Sequence, residues 1–150
     1  MATKFSGSEE QERALDLQIK LFRATNSLRQ KLSTFWDDHD LTESQFATLE
    51  ALYHLGELNH KEIAEKMLTR EANITHVVDN LERDGLVERC RSEEDRRVVD
   101  VCLTEEGRSV IAEAFPKFVE FLTDTVSDFD ADKQETLAQL SGEFGRIVER

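Results

Sequence analysis

Residues 59–103 read NHKEIAEKMLTREANITHVVDNLERDGLVERCRSEEDRRVVDVCL, and their pattern indicates the fold of the chain. The side chain of Asn59 can accept hydrogen bonds from the first free backbone amides of a short helix that ends near Met67. A tight turn then leads into a second helix over residues 71–84, whose apolar side chains recur at helical spacing. Two short helices joined by such a turn are typical of a helix-turn-helix, in which the second helix enters the major groove of DNA.

A β-hairpin is predicted directly after the second helix. Gly85 is a typical helix stop, and residues 86–91 and 97–103 then alternate apolar and polar side chains. Residues 92–96, with the sequence SEEDR, lie between them as a charged tip. A hairpin in this position is the wing of a winged helix-turn-helix, and it favours that fold over an ordinary helical bundle.

The outward face of the second helix carries small and polar side chains that fit the edges of bases. With positions 74, 77, 78 and 81 turned inward, Asn73 can bond an adenine bidentately and Ala72 can touch a thymine methyl group. The candidate DNA-contacting residues of this helix are Arg70, Ala72, Asn73, Thr75 and His76. The same face is also typical of an ordinary solvated helix, on which Asp79 and Arg83 form a pair one turn apart.

The hairpin tip carries Asp95, Arg96 and Arg97, which complete the candidate DNA contacts. An arginine at this place can enter the narrow minor groove, where negative potential is concentrated, while the aspartate holds its guanidinium in position. A solvated turn is the alternative, because charged residues are common at hairpin tips.

Capping boxes and apolar stripes predict helices on both sides of this region. Residues 8–11, SEEQ, and residues 42–45, TESQ, each place a hydroxyl three positions before a glutamine. Thr104 and Asp130 are placed to start two further amphipathic helices. The 150 residues include one Pro and six Gly, so the sequence predicts a mainly α fold with few strands.

The charge is unevenly distributed. The formal net charge is −13, and a uniform negative charge would oppose DNA binding, which relies on phosphate neutralisation. Residues 60–99, however, hold eight Lys or Arg against ten Asp or Glu, so most of the acidic excess lies outside the predicted DNA-reading region. We therefore expect specific groove contacts to matter more than general attraction to phosphate.

Several classes of protein are not expected. No apolar stretch is long enough for a membrane span or a secretory signal, which favours a cytoplasmic protein without a membrane partner. No catalytic or nucleotide-binding motif is present, so neither an enzyme nor a cofactor is predicted. Cys90 and Cys102 are expected to be packed thiols, because a simple hairpin register leaves them several residues out of opposition. The histidines lack paired ligand spacing, so no metal site is expected.

The wing residues resemble the signature of the MarR family. Asp-Arg-Arg at 95–97 and VCLTEEG at 101–107 look like the family's wing and the start of the helix after it. LTESQF at 41–46, EIA at 62–64 and ITHVVDNLERDGLV at 74–87 are similar to the family in order and spacing. The resemblance therefore spans roughly residues 41–108.

The resemblance implies a homodimeric transcription regulator of double-stranded DNA, most commonly a repressor. Because a two-fold symmetric dimer requires symmetric half-sites, we expect a pseudo-palindromic operator. The first, fifth and sixth helices would form the dimer. The implied organisation is a dimerisation helix at 1–40, a winged helix-turn-helix at 41–103 and C-terminal dimerisation helices at 104–150, intertwined as one domain. Asp95 and Arg97 match the family's wing pair, whereas His76 departs from the arginine often found at its position.

The resemblance also implies a small aromatic effector. Many family members release DNA when a phenolic or quinone-like compound binds between the dimer helices and the winged domain. The candidate ligand residues are Phe22, Trp36, His39, Phe46 and Tyr53, although aromatics at helical spacing are also typical of a plain core. The rival function is a winged-helix dimer used for protein contacts without DNA, and the wing arginines together with Asn73 favour DNA.

Overall fold

The computed structural model describes residues 4–149 and confirms the predicted mainly helical fold with a small β-sheet. The helices are α1 (Glu9–Asp38), α2 (Glu43–Leu55), α3 (His60–Lys66), α4 (Glu71–Arg83), α5 (Glu105–Val126) and α6 (Ala131–Val148). The strands are β1 (Leu58–Asn59), β2 (Val87–Arg91) and β3 (Val99–Leu103).

The predicted capping residues start their helices. The Ser8 hydroxyl accepts a hydrogen bond from the Gln11 backbone N–H at 3.3 Å, while the Gln11 side chain accepts one from the Ser8 N–H at 2.9 Å. Thr42 starts α2 and Asn59 starts α3 in the same reciprocal arrangement. Each box satisfies two backbone amides that a helix start would otherwise leave without partners.

The helix-turn-helix is confirmed as α3 and α4. The turn between them passes through Leu68, whose φ of +49° lies in the left-handed region. The Thr69 N–H donates to the carbonyl oxygen of Ala64 at 3.0 Å and closes the end of α3. The buried side chains of the two helices are Ile63, Ala64, Ile74, Val78 and Leu81.

The sheet has three antiparallel strands in the order β1-β3-β2, so the predicted hairpin has an additional strand beside it. Val101 of β3 lies between Leu58 of β1 and Arg89 of β2, and its side chain is fully buried. Strand β1 was missed in the sequence, because two residues are too few to show an alternating pattern.

Two glycines fix the path from α4 into the wing and on to α5. Gly85 has a φ of +76°, which a side chain would strain, and it ends α4. A Cβ on Gly107 would lie 2.8 Å from the carbonyl carbon of Leu86, so only glycine permits this close approach. Thr104 joins the same elements, because its hydroxyl donates to Gly85 O at 2.7 Å and accepts from Gly107 N at 3.0 Å.

The chain divides into two compact units, one ending at Pro116 and the other starting at Lys117. The first unit contains the core, whose largest fully buried side chains include Phe46, Leu49, Leu52, Ile63, Ile74, Leu81 and Ile111. In the second unit, no residue along α6 from Ala131 to Val148 is buried. Within the described range 4–149, no helix is both long and apolar enough to span a membrane.

Candidate nucleic-acid interface

Helix α4 separates an apolar inner face from a polar outer face, as predicted. Ile74, Val78 and Leu81 are at most 1% exposed and anchor the helix in the core. The five predicted contact residues at its N-terminal end, Arg70, Ala72, Asn73, Thr75 and His76, are all exposed. The first unit of the chain therefore presents them together on one accessible surface.

Local hydrogen bonds hold part of this surface in place. The Asn73 side-chain amide donates to the Thr69 hydroxyl at 2.9 Å, and the Thr75 hydroxyl donates to the Glu71 carbonyl oxygen at 3.3 Å. The His76 ring lies 3.5 Å from the Asn80 amide nitrogen. Such bonds limit the rotamers of the predicted contact residues and would reduce the conformational entropy lost on contact.

Arg70 occupies the N-cap position of α4, and its side chain makes no capping hydrogen bond. Its backbone carbonyl accepts hydrogen bonds from the N–H groups of Asn73 at 2.9 Å and Ile74 at 3.4 Å. Arg70 is exposed at the N-terminus of α4, the positive end of the helix dipole, where an anion such as a phosphate is favoured.

The wing tip brings Asp95 and Arg97 together, as predicted. One carboxylate oxygen of Asp95 accepts from the Arg97 backbone N–H at 3.0 Å and lies 3.5 Å from the Arg97 Nε. The Ser92 hydroxyl accepts from the backbone N–H groups of Glu94 and Asp95 and shapes the turn. The Arg97 side chain is 93% exposed, and Arg96 beside it is also exposed.

Arg89 links the wing to α4, a role that the sequence analysis missed. Its guanidinium on β2 donates to the carboxylates of Asp79 and Glu82 on α4. The pKa of the Arg89 guanidinium is raised above its usual value, mainly by the hydrogen bond to Asp79. Desolvation by burial lowers this pKa, but the negative charge of Glu82 raises it further. The prediction that Asp79 pairs with Arg83 is wrong, because Arg83 lies 3.7 Å from Asp84 instead.

The alternating pattern of β2 contained a signal for this link. Arg89 stands opposite the buried Val101 and therefore on the inward face of the sheet. A charged side chain at an inward position requires partners of opposite charge. The partners could not be named from sequence, because they depend on how the strand crosses the helix.

The expectation that Cys90 and Cys102 are separate packed thiols is wrong, since the structure joins them in a disulfide. Cys90 stands opposite Asp100 and Cys102 opposite Glu88, so the cysteines are two positions apart in register and share one face. They are diagonal neighbours with a Cα–Cα distance of 6.3 Å, which lies in the usual range for a disulfide. The bridge therefore needs no displacement of the strands.

The sulfur atoms of Cys90 and Cys102 and a carboxylate oxygen of Glu57 all lie within 4.8 Å of one another. Among residues 4–149 these three side chains form the cluster of potential ligands whose atoms lie close enough together to share a metal ion. Disulfide sulfurs are not the thiolates that a metal requires, so the oxidised protein offers only the carboxylate there.

The structure distributes the five predicted ligand residues over different environments. Trp36 and Phe46 are buried, with ring centroids 4.6 Å apart. His39 stacks on Phe35 beside them, with ring centroids 4.1 Å apart. Tyr53 packs against His54, and Phe22 is 61% exposed on α1.

A surface cavity of about 970 Å³ lies elsewhere, between α1, α2 and the start of α4. Its lining includes Arg29, His54, Lys66, Met67, Asn73 and His76. The five predicted ligand residues are not among the lining residues. The cavity thus reaches Asn73 and His76, two of the predicted DNA contacts.

Known proteins share this architecture. A family model described as "MarR family" matches residues 41–99. The HTH-type transcriptional regulator MhqR of Bacillus subtilis (strain 168) is 32% identical over 134 residues, which cover 89% of this chain and 92% of MhqR. The chain belongs to the MarR family. It is therefore a DNA-binding transcription regulator of winged-helix type.

Two solved structures match nearly the whole chain. A MarR family protein from Bacillus stearothermophilus is 25% identical with a TM-score of 0.72, over 97% of this chain and 100% of that one. BpsR of Bordetella bronchiseptica, whose DNA binding is regulated by 6-hydroxynicotinic acid, has a TM-score of 0.80 at 22% identity. That match covers 95% of this chain and 98% of BpsR, and at this identity it shows the fold alone.

Proposed function

We propose that this regulator is a cytoplasmic homodimer that binds a pseudo-palindromic operator and represses transcription until a small aromatic ligand releases it. The observation that carries the proposal is the joint exposure of α4 and the wing tip. Asn73 and His76 are exposed on one element and Arg97 on the other, with Arg89 holding the two together. Two such readers related by a two-fold axis would contact half-sites about 10 base pairs apart.

Exposed apolar side chains support the dimer. On α6, Leu137, Leu140 and Ile147 are each more than half exposed, and Phe22 on α1 is 61% exposed. Large apolar side chains in this number favour burial against a second copy. The proposed organisation keeps residues 41–103 as the reading domain and assigns 1–40 and 104–150 to dimerisation.

We propose the surface cavity as the place where the effector binds. Arg29 and Lys66 bring positive charge to its wall, while Met67, Leu68 and Val77 bring apolar surface. Glu43 and Glu50 also line the cavity, and Glu43 pairs with Arg29 at 3.4 Å, so a ligand carboxylate would compete with Glu43 for the guanidinium. This combination fits an aromatic ring that carries a carboxylate. BpsR, which shares the fold, responds to such a compound. A ligand here would touch the α4 residues that contact DNA and compete with their reading conformation.

The aromatic set around Trp36 remains a second candidate for the effector site. Trp36, His39 and Phe46 pack around Phe35, so a ligand would have to separate rings that already touch. Two variants distinguish the sites. Arg29→Ala removes a cation from the cavity, whereas His39→Ala removes the ring that stacks on Phe35 in the aromatic set.

Binding to the DNA upstream of the protein's own gene tests the proposal. Fluorescence anisotropy with that duplex and with a scrambled duplex of equal length measures specificity. We expect tighter binding to the upstream duplex and its release by hydroxylated aromatic acids. Equal binding to both duplexes at low salt would instead support a protein-interaction role.

The effector site is tested in the same assay. We expect Arg29→Ala to retain DNA binding but to need about tenfold more aromatic acid for release, because a charged hydrogen bond is lost. His39→Ala should respond as wild type. The opposite ranking of the two variants would place the effector at the aromatic set.

A further inference from the structure

The wing is closed at its base by a covalent bond. Cys90 and Cys102 are separated by 12 positions in the sequence, and the segment between them contains the tip with Arg96 and Arg97. We propose that this pair is a reversible oxidation site at which low-molecular-weight disulfides, preferably cationic ones, close the bond and thereby order the wing for DNA binding. The effect on DNA rests on the proposed function, whereas the chemistry of the pair does not.

The position of the pair permits exchange with solutes. Both cysteines are half-buried, on the face of the sheet that also carries the exposed Glu88 and the buried Asp100, and the exposed Glu57 lies beside their sulfur atoms. The opposite face carries the fully buried Val101. Reduction therefore changes a bond at the protein surface and leaves the core packing in place.

The proposed step balances atoms and electrons. A thiolate of the reduced pair attacks one sulfur of a small disulfide RSSR, forming a mixed disulfide and releasing RS⁻. The second thiolate attacks the protein sulfur of this mixed disulfide, closes the Cys90–Cys102 bond and releases the second RS⁻. Two electrons pass from the protein to the small disulfide, and the two thiol protons end on the two RSH products.

The electrostatic environment selects the oxidant. A carboxylate oxygen of Glu57 lies within 4.8 Å of both sulfurs, Glu88 stands opposite Cys102, and Asp100 stands opposite Cys90. These groups attract a cationic disulfide and repel an anionic one. We expect the pair to react about threefold to tenfold faster with cystamine than with oxidised glutathione at low salt.

The consequence for DNA follows from chain entropy. Closing the loop restricts the conformations of residues 92–98. The oxidised wing therefore loses less conformational entropy when Arg97 enters a groove. We expect the reduced protein to bind the operator about threefold to tenfold more weakly. The two carboxylate partners of Arg89 hold the middle of β2 on α4 independently of the disulfide, which limits the loss.

The redox chemistry is measured on the full-length chain without DNA. The protein is reduced, treated with cystamine or oxidised glutathione, alkylated and weighed by mass spectrometry. We expect two alkylated thiols before oxidation and none after it. The pair should react faster with cystamine than with oxidised glutathione. Glu57→Gln should reduce this difference in rate, whereas the control Glu10→Gln should not. Thiols that remain alkylatable, bridges between copies, or zinc capture by the reduced pair that prevents closure would each overturn the proposal.

The effect on the wing is measured with and without DNA. Hydrogen exchange of the amides of residues 92–98 should be faster in the reduced protein, and the double variant Cys90→Ser/Cys102→Ser should match the reduced protein under all conditions. The oxidised protein should bind the operator most tightly, and the reduced protein and the double variant should bind it equally weakly. Failure of both redox states to bind DNA would contradict the proposed function alone, whereas equal amide exchange in both states would overturn this inference.

Discussion

Arg89 on β2 donates a hydrogen bond to Asp79 on α4, so the wing is tied to the helix that carries the predicted base contacts. The same guanidinium donates to Glu82 one turn further along α4. The Arg89 side chain is 31% exposed, which makes the pair more sheltered than an ordinary surface ion pair. Because residues 60–99 carry a slight negative net charge, we expect the fixed spacing between α4 and the wing to contribute more to operator binding than general attraction to phosphate.

Replacing Arg89 tests this link. Arg89→Ala should lower the free energy of unfolding by about 1–2 kcal/mol, because Asp79 and Glu82 then face each other without a cation. Operator affinity should fall about fivefold to tenfold, because the spacing of wing and helix is no longer fixed. Urea unfolding and fluorescence anisotropy measure the two effects.

Arg83→Ala is the matched control for Arg89. Arg83 is 72% exposed and pairs with its neighbour Asp84, so its removal should change stability by less than about 0.5 kcal/mol. Equal effects of the two substitutions on operator affinity would show that Arg89 acts through its charge and not through the link.

Gly107 tests the close approach of α5 to the start of the wing. A Cβ at this position would lie 2.8 Å from the carbonyl carbon of Leu86, against backbone that cannot move alone. Gly107→Ala should therefore destabilise the protein by about 2–4 kcal/mol. The exposed helical Gly142 is the control, since alanine there should stabilise by about 0.5–1 kcal/mol. Thermal unfolding distinguishes these opposite signs, and a neutral Gly107→Ala would contradict the described packing.

The apolar surface of α6 leads to a prediction for assembly. Leu137→Glu/Leu140→Glu should shift the protein from dimer to monomer, because each substitution would bury a carboxylate in the proposed interface. Sedimentation velocity measures the change. Glu135→Gln is a mild control on the same helix. If the double variant sediments like the wild type, α6 is not part of the dimer interface.

Local signals in the sequence predicted most of the fold. Ser8, Thr42 and Asn59 each form the capping interaction expected of them, because a capping box depends on residues only three positions apart. The apolar spacing of α4 correctly predicted that Ile74 and Leu81 are buried. The strand alternation likewise located β2 and β3 to within a few residues.

The features that the sequence did not predict depend on contacts between distant residues. The disulfide depends on the strand register, which places Cys90 and Cys102 diagonally instead of far apart. The Arg89 link joins positions ten residues apart and follows from the crossing of β2 and α4. The cavity depends on how α1 and α2 meet the start of α4, which no local pattern encodes.

Joint reading of DNA by α4 and the wing tip can be measured with a salt series on two variants. Operator and scrambled duplexes are titrated with wild type, Arg97→Ala and Asn73→Ala over a range of KCl concentrations. Lys20→Ala, which removes an exposed cation on α1, serves as the control.

Arg97→Ala should weaken binding to both duplexes and reduce the slope of log K against log salt by about 1, because one phosphate-neutralising charge is lost. Asn73→Ala should narrow the gap between operator and scrambled DNA by about 1–3 kcal/mol and leave the slope unchanged. If both variants keep the affinity, specificity and salt slope of the wild type, α4 and the wing tip do not read DNA together.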